Sequence, residues 1–297
     1  IEAFGINLGG GNDTLDYTGT TEAVSVNLST LAQSATGFNA GVTNIENATG
    51  GSDNDSLTGS AGANTLIGGD GDDTLTGLGG ADTIDGGLGN DVATYLENAS
   101  AATITWNGTT ATVTIAGVTD TITGVGELRF GDVSYWLVSH DVGADFTTIQ
   151  SAVDVAGEGD TILVAAATYT EDVSVASLGV RIVGSEAGVT VEGQFTVSGT
   201  LDGAFAIENL DIDATGNGYG VFVSANSTAF AGSVTLDGVS ISGAQNNGFA
   251  YIRAGNGSSP TNADTIGNIE ILNSNFLNNS TLNTGSNGRG DIIIFGY

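Results

Sequence analysis

Apolar residues in the first third of the chain recur every nine positions, a spacing that fits neither a helix nor an ordinary half-buried strand. Leu57, Leu66, Leu75 and Ile84 each stand one residue before the end of a block dominated by Gly, Asp, Asn, Ser and Ala. This period predicts three-residue strands with one inward side chain apiece, separated by six-residue turns. The stretch from Tyr17 to Thr49 lacks the period, but its apolar/polar alternation predicts short strands extending the same sheets. Residues 96–140 alternate more strictly, in ATITW, ATVTIAG and DTITGVGELRFGD, and read as antiparallel strands joined by N-G and G-V turns.

The pattern changes at Gly143. Ile149, Ala152, Val153 and Ala156 have helical spacing and predict a short amphipathic helix. Downstream, Ile207–Ile212, Leu236–Ile241 and Ile271–Phe276 align as successive coils. They place Ile207, Leu236 and Ile271 in one inward ladder and Ile212, Ile241 and Phe276 in another. Second strands follow in GVFVSA, GFAYIRA and DIIIFG.

The nine-residue blocks run from Gly50 to Thr94 without a gap: GGSDNDSLT, GSAGANTLI, GGDGDDTLT, GLGGADTID and GGLGNDVAT. An isolated copy, LGGGNDTLD, begins at Leu8. Glycines let the turn adopt positive φ and bring carbonyl oxygens together, while the sixth residue supplies a carboxylate. Carbonyl and carboxylate oxygens are the ligands that calcium prefers. These blocks resemble the calcium-binding repeats of RTX proteins, whose consensus is G-G-x-G-x-D-x-U-x. The resemblance implies a parallel β-roll in which two repeats make one coil and calcium lies between stacked turns. It aligns Asp55, Asp73 and Asp91 on one edge and Asn64 and Asp82 on the other, with Asp13 as the equivalent in the isolated copy. The turn glycines Gly68, Gly69, Gly71, Gly86, Gly87 and Gly89 are the implied carbonyl donors. Asn64 replaces a carboxylate, so its site is expected to be weaker, and Asp53 replaces a turn glycine. One inward residue per nine buries too little to offset chain entropy, so residues 1–95 are expected to need calcium to fold. The third turn positions (Gly10, Ser52, Ala61, Asp70, Gly79 and Leu88) form no regular Thr/Asn array of the kind ice binding would use.

Charge narrows the function classes. The chain has 34 acidic residues against four basic ones, all arginine, and a formal net charge of -30. A nucleic-acid backbone or an anionic membrane surface would repel it, so neither nucleic-acid binding nor membrane insertion is expected. The 48 glycines and the excess of Asp (23) over Glu (11) favour oxygen cages for a hard cation. Without cysteine, no disulfide or thiolate site can hold the fold. No apolar run approaches the ~20 residues of a membrane-spanning helix. The chain starts at Ile1 without Met or a signal peptide and ends in a strand without a cap. It therefore reads as a piece of a longer protein, exported outside the cell or to its surface by a type I system of a Gram-negative bacterium, as the resemblance implies.

The segment GADFTTIQSAVDVAGEGDTILVAAATYTEDVSV resembles the opening of pectin-lyase-like β-helices, with Ala167 where that family has Gly. The expected fold class is therefore all-β: a calcium-binding parallel β-roll (1–95), a short β-rich connector or cap (96–140) and a truncated right-handed parallel β-helix (141–297). Enzymes of that superfamily act on acidic polysaccharides. A lyase would need a basic residue beside acids, and Arg181 and Arg253 lack an acidic cluster in aligned neighbours. A hydrolase would need carboxylates on neighbouring coils, yet Asp211 and Asp213 align with Ser240/Ser242 and Asn275/Leu277. Asp211, Asp213 and Arg253 are the only catalytic candidates. The D-P-H-E motif of mannuronan epimerases is absent. Arg289-Gly290-Asp291 spells an integrin-binding tripeptide, a match best ascribed to chance. These observations favour a calcium-stabilised structural or adhesive segment of adhesin, surface-layer or filament type, with calcium, extracellular polysaccharide or copies of itself as partners. The alternatives are a calcium-dependent polysaccharide-modifying enzyme with most catalytic coils elsewhere, and a carbohydrate-binding module using Tyr219, Phe222 and Tyr251.

Overall fold

The computed structural model describes residues 6–7, 10–29, 42–43, 45–141, 144–176, 179–198, 203–225, 232–253, 268–277 and 292–295. Residues 289–291 lie outside the described residues, as does the end at Tyr297, and the side chains of Tyr251 and Arg253 are not described. The chain divides into two compact units: residues 1–137 with 141–145, and residues 138–140 with 146–297.

In the first unit the repeats coil with an eighteen-residue period, placing Leu57 opposite Leu75 and Leu66 opposite Ile84 in parallel register. Two sheets result. One stacks Ser25–Asn27, Ser56–Thr58, Thr74–Thr76 and Val92–Thr94; the other stacks Thr14–Asp16, Asn47–Thr49, Thr65–Asp70 and Thr83–Leu88. The middle residue of each repeat strand points inward, and Leu57, Leu66, Leu75, Ile84 and Ala93 are fully buried. Each fully buried aliphatic side chain contributes roughly 1.5–3 kcal/mol. Two per coil make a thin core for eighteen ordered residues, whose backbone entropy alone opposes folding by about 1–2 kcal/mol each.

The strands after the repeats add directly to these sheets. Val118–Thr123 pairs in parallel with Thr83–Leu88, putting Ile122 on Ile84, and Glu127–Arg129 pairs in parallel with Val92–Thr94, putting Leu128 on Ala93. Antiparallel partners then join both sheets: Ala102–Trp106 and Thr110–Ile115 on one, Ser134–Val138 on the other. Thus residues 96–137 form a β-rich continuation of the coil whose last strands reverse direction. Nearly all the described structure is β, in mostly parallel sheets, as the sequence pattern required.

The second unit opens with the helix Ile149–Val155, which buries Ile149, Ala152 and Val153. Thr148 caps it by accepting a hydrogen bond from the Ser151 amide, and the Glu171 carboxylate accepts from the Ile149 and Gln150 amides. Parallel coils follow, each contributing strands to three sheets. Ile162, Ile182, Ile207, Leu236 and Ile271 stack in one ladder; Val191, Ile212, Ile241 and Phe276 in the second; Phe195, Val221 and Phe249 in the third. The corner between the first two sheets falls at Asn209, Gly238 and Asn273, all with positive φ, a conformation that Asn and Gly tolerate best.

Candidate metal centre

Two columns of acidic and amide side chains run along the edges of the first unit, where each turn meets its sheet. On one edge the register places Asp55, Asp73 and Asp91 above one another. Asp73 Oδ1 accepts from the Asp55 amide at 2.7 Å, and Asp91 Oδ1 accepts from the Asp73 amide at 2.7 Å. On the other edge Asp82 Oδ1 accepts from the Asn64 amide at 2.8 Å. Asp13 sits farther along this second edge, where its amide donates to Glu46 Oε2 at 3.0 Å.

These side chains are far less exposed than turn acids usually are: Asp55, Asn64, Asp73, Asp82 and Asp91 keep between 1% and 4% of their surface. Each of Asp73, Asp82 and Asp91 nevertheless has an Oδ2 atom that is buried with no hydrogen-bond partner among the described residues, and so does Asp13. A carboxylate oxygen buried without a donor is costly unless a cation faces it. Burial pushes the Asp73 and Asp82 carboxyls up to about 6 and that of Asp91 up to about 7, and like-charged neighbours add to the rise. Without a cation, folding would thus force these acids toward their neutral form.

The first glycine of each repeat explains where a cation fits. A Cβ on Gly68 would run into Asp73 Oδ2 and lie 2.5 Å from the Gly86 carbonyl oxygen. A Cβ on Gly59 would lie 2.5 Å from both Asn64 Oδ1 and the Gly77 carbonyl oxygen. Gly50 is crowded in the same way by Asp55 Oδ2 and the Gly68 carbonyl. Carboxylate and carbonyl oxygens from stacked turns therefore converge beside each first glycine, and only the missing side chain leaves the space. Gly69 and Gly87 stack closely too, with φ of 122° and 106°, and a Cβ on Gly87 would strike the Gly69 carbonyl. Gly71 and Gly89 repeat that relation in the same turns. Calcium takes about 6–8 oxygens from such mixed donors, so the chemistry fits. Among the described residues no group of three or more acids or histidines gathers around one point. The carbonyl share is therefore what would complete the shell.

Asn64 differs from its neighbours. Its Oδ1 accepts from the Ser60 amide at 2.6 Å and its Nδ2 donates to the Glu46 carbonyl at 2.5 Å, so the amide is internally satisfied. Asp53, the other departure from the pattern, is exposed and accepts from the Asn54 amide. Asp55 is also satisfied, accepting from the amides of Val24 and Gly51.

Both columns continue past the repeats. Asp145 Oδ2 accepts from the Asp91 amide at 2.9 Å, and Asp120 Oδ1 accepts from the Asp82 amide at 2.9 Å. Sequence reasoning missed both. Asp120 had a signal: Asp120-Thr121-Ile122 copies Asp82-Thr83-Ile84, the end of a repeat without its turn. Asp145 had none, since it follows no strand pattern.

Two of the catalytic candidates of the second unit, Asp211 and Asp213, share one short strand. Asp211 and Asp213 lie on the middle sheet beside Ser240 and Ser242 on one side and Thr190 and Glu192 on the other. Asp213 Oδ1 accepts from the Thr215 amide and hydroxyl, while Glu192 accepts from Thr170. Glu192, on the coil preceding Asp213, is a neighbour the alignment of later coils had not revealed. Arg181 does have an acidic neighbour: its guanidinium holds Glu208 of the next coil at 2.9 Å. Arg253 falls in the strand Asn247–Arg253.

The family model for the RTX calcium-binding nonapeptide repeat (4 copies) matches residues 41–75 and 58–93. No curated protein matches. Among solved structures the chain is similar to the extracellular lipase LipA from Serratia marcescens, at 18% identity and a TM-score of 0.30, over 76% of this chain and 37% of that one. The chain thus spans little more than a third of that protein's length. The RTX nonapeptide repeats of this chain bind calcium ions, and repeats of this kind are typical of secreted bacterial proteins.

Proposed function

We propose that this chain is a calcium-stabilised structural or adhesive segment of a large secreted bacterial protein, of adhesin, surface-layer or filament type. Its ions would be held by Asp13, Asp55, Asp73, Asp82 and Asp91, with carbonyls of Gly68, Gly69, Gly71, Gly86, Gly87 and Gly89, and more weakly by Asn64. The observation that carries the reading is the contrast between the two sets of acids. In the first unit Asp13, Asp73, Asp82 and Asp91 each carry a buried, orphaned oxygen that a cation would satisfy, whereas Asp211 is exposed and Asp213 is tied up by Thr215. The coiled second unit is read as a truncated, right-handed, pectin-lyase-like β-helix serving as a rigid extension, and residues 96–140 as the connector between the two solenoids. Export through a type I system of a Gram-negative cell would suit a roll that stays unfolded in calcium-poor cytosol and folds outside, where it could meet polysaccharide or copies of itself.

Incubation with alginates and pectins in calcium tests the reading, by absorbance of unsaturated sugars and by polymer length. No turnover together with calcium-dependent mechanical resistance in single-molecule pulling is expected. Calcium-dependent depolymerisation would favour the alternative of a polysaccharide-modifying enzyme and direct mutagenesis to Asp211, Asp213 and Arg253.

A further inference from the structure

The two columns end differently. On the Asn64–Asp82 edge the last carboxylate, Asp120, is closed by protein: its Oδ2 accepts from the Tyr95 hydroxyl at 3.1 Å. On the Asp55–Asp73–Asp91 edge the last carboxylate, Asp145, is left open: its Oδ1 is buried with no partner. The residue beneath it, Asp91, is 1% exposed and likewise has an unpartnered Oδ2.

The surroundings of Asp91 repeat those of the turns below. A Cβ on Gly86 would meet Asp91 Oδ2 at 2.7 Å and would also strike the Gly124 carbonyl oxygen. Gly124 thus occupies the place that Gly86 holds for Asp73 and Gly68 holds for Asp55, although it belongs to no nonapeptide. Its φ of 57° differs from that of Gly68 and Gly86, so the likeness lies in where its carbonyl stands. Asp145, from a different segment, then supplies the hydrogen bond to the Asp91 amide that the next repeat's aspartate would have supplied. Asp145 also lines a cavity of about 340 Å³ with Asp85, Trp106 and Thr123, which leaves room for coordinated water.

We propose that the chain completes one calcium site beyond its repeats, in which the free oxygen of Asp91 and the Gly124 carbonyl act with the Asp145 carboxylate as ligands to a terminal ion. The site rests on calcium binding by the repeats and is independent of any adhesive or enzymatic role. Its purpose follows from solenoid physics: the last coil has no following repeat, so its carboxylate would stay orphaned unless a non-repeat segment closed the stack. Asp145 would close it with a ligand, where Asp120 closes the opposite column with a hydrogen bond.

The test is calcium counting by equilibrium dialysis on the full chain, with titration followed by circular dichroism. Asp145→Asn keeps an acceptor for the Asp91 amide but removes the charge, so a merely structural Asp145 would be unaffected. The proposal expects one fewer ion per chain and a higher calcium midpoint, with Glu186→Gln, an exposed acid of the second unit, unchanged. An Asp145→Asn variant with the wild-type count and midpoint would overturn it. Should that variant stay unfolded at every calcium concentration, Asp145→Glu decides. Recovered folding with the full ion count supports ligation, and a Glu variant as inert as the Asn variant refutes it. A wild-type chain that binds no calcium would overturn this site and the repeat reading together.

Discussion

Replacing Gly68 with alanine adds one methyl group at the point where the oxygens of two turns converge, and its cost can be set against an internal standard. The new Cβ would collide with Asp73 Oδ2 and lie 2.5 Å from the Gly86 carbonyl oxygen, so carboxylate or turn must shift. At Gly79, in the following repeat, the nearest atom to a Cβ is the Ala61 carbonyl oxygen at 3.6 Å, an ordinary contact. Neither glycine needs a positive φ, and both substitutions reduce the entropy of the unfolded chain equally, by roughly 0.4–1 kcal/mol. The difference between the variants therefore isolates the oxygen cage. Overpacking costs about 1–3 kcal/mol, and displacing a ligand adds to that, so Gly68→Ala should be at least ~2 kcal/mol less stable than Gly79→Ala in calcium. Urea unfolding at fixed millimolar calcium, followed by far-ultraviolet circular dichroism, would show this as a midpoint lowered by about 1 M, given a slope of about 1–3 kcal/mol per molar. Equal midpoints for the two variants would refute the placement of the cation beside the first glycine.

Further outcomes follow from the same geometry. In chelator the first unit should be more structured near pH 4 than at pH 8. The carboxyls of Asp73, Asp82 and Asp91 are raised by folding from 3.8 to about 6, 6 and 7, so their stabilising contribution is full below 3.8 and lost as pH rises through those values; a pH-independent spectrum in chelator would contradict it. With calcium present the dependence should reverse, the midpoint rising as pH falls below about 7, because the ion needs ionised ligands. Asn64→Asp should lower stability in chelator, where the donor to the Glu46 carbonyl is lost, yet raise it in saturating calcium; a loss of stability in both conditions would show that Asn64 lies off the metal path. Ile84→Ala, between Leu66 and Ile122, should cost about 2–5 kcal/mol by urea unfolding in calcium. Hydrogen exchange should show residues 45–137 losing protection on chelation, while the ladders of the second unit keep theirs.

The resemblance to RTX repeats, with two repeats to a coil, implied the pairing of Asp55 with Asp73 and Asp91. Periodicity determined the strands and the inward ladders, because a solenoid's neighbours lie a fixed number of residues apart. The same logic aligned Ile207 with Leu236 and Ile271. The carbonyl and carboxylate chemistry was legible for the same reason: glycine and aspartate recur at fixed turn positions. What escaped the sequence was every relation that the period does not encode. Nothing in the local pattern links Asp145 to Asp91, fifty-four residues away, or makes Gly124 stand in for a repeat glycine. The ion pair of Arg181 with Glu208 likewise depends on side chains meeting across coils of unequal length, and the satisfaction of Asn64 by the Ser60 amide and the Glu46 carbonyl depends on how one side chain is turned. Sequence fixes contacts wherever spacing is constant; where a coil ends or a loop intervenes, backbone path alone decides which oxygen is left without a donor, and hence where a cation is required.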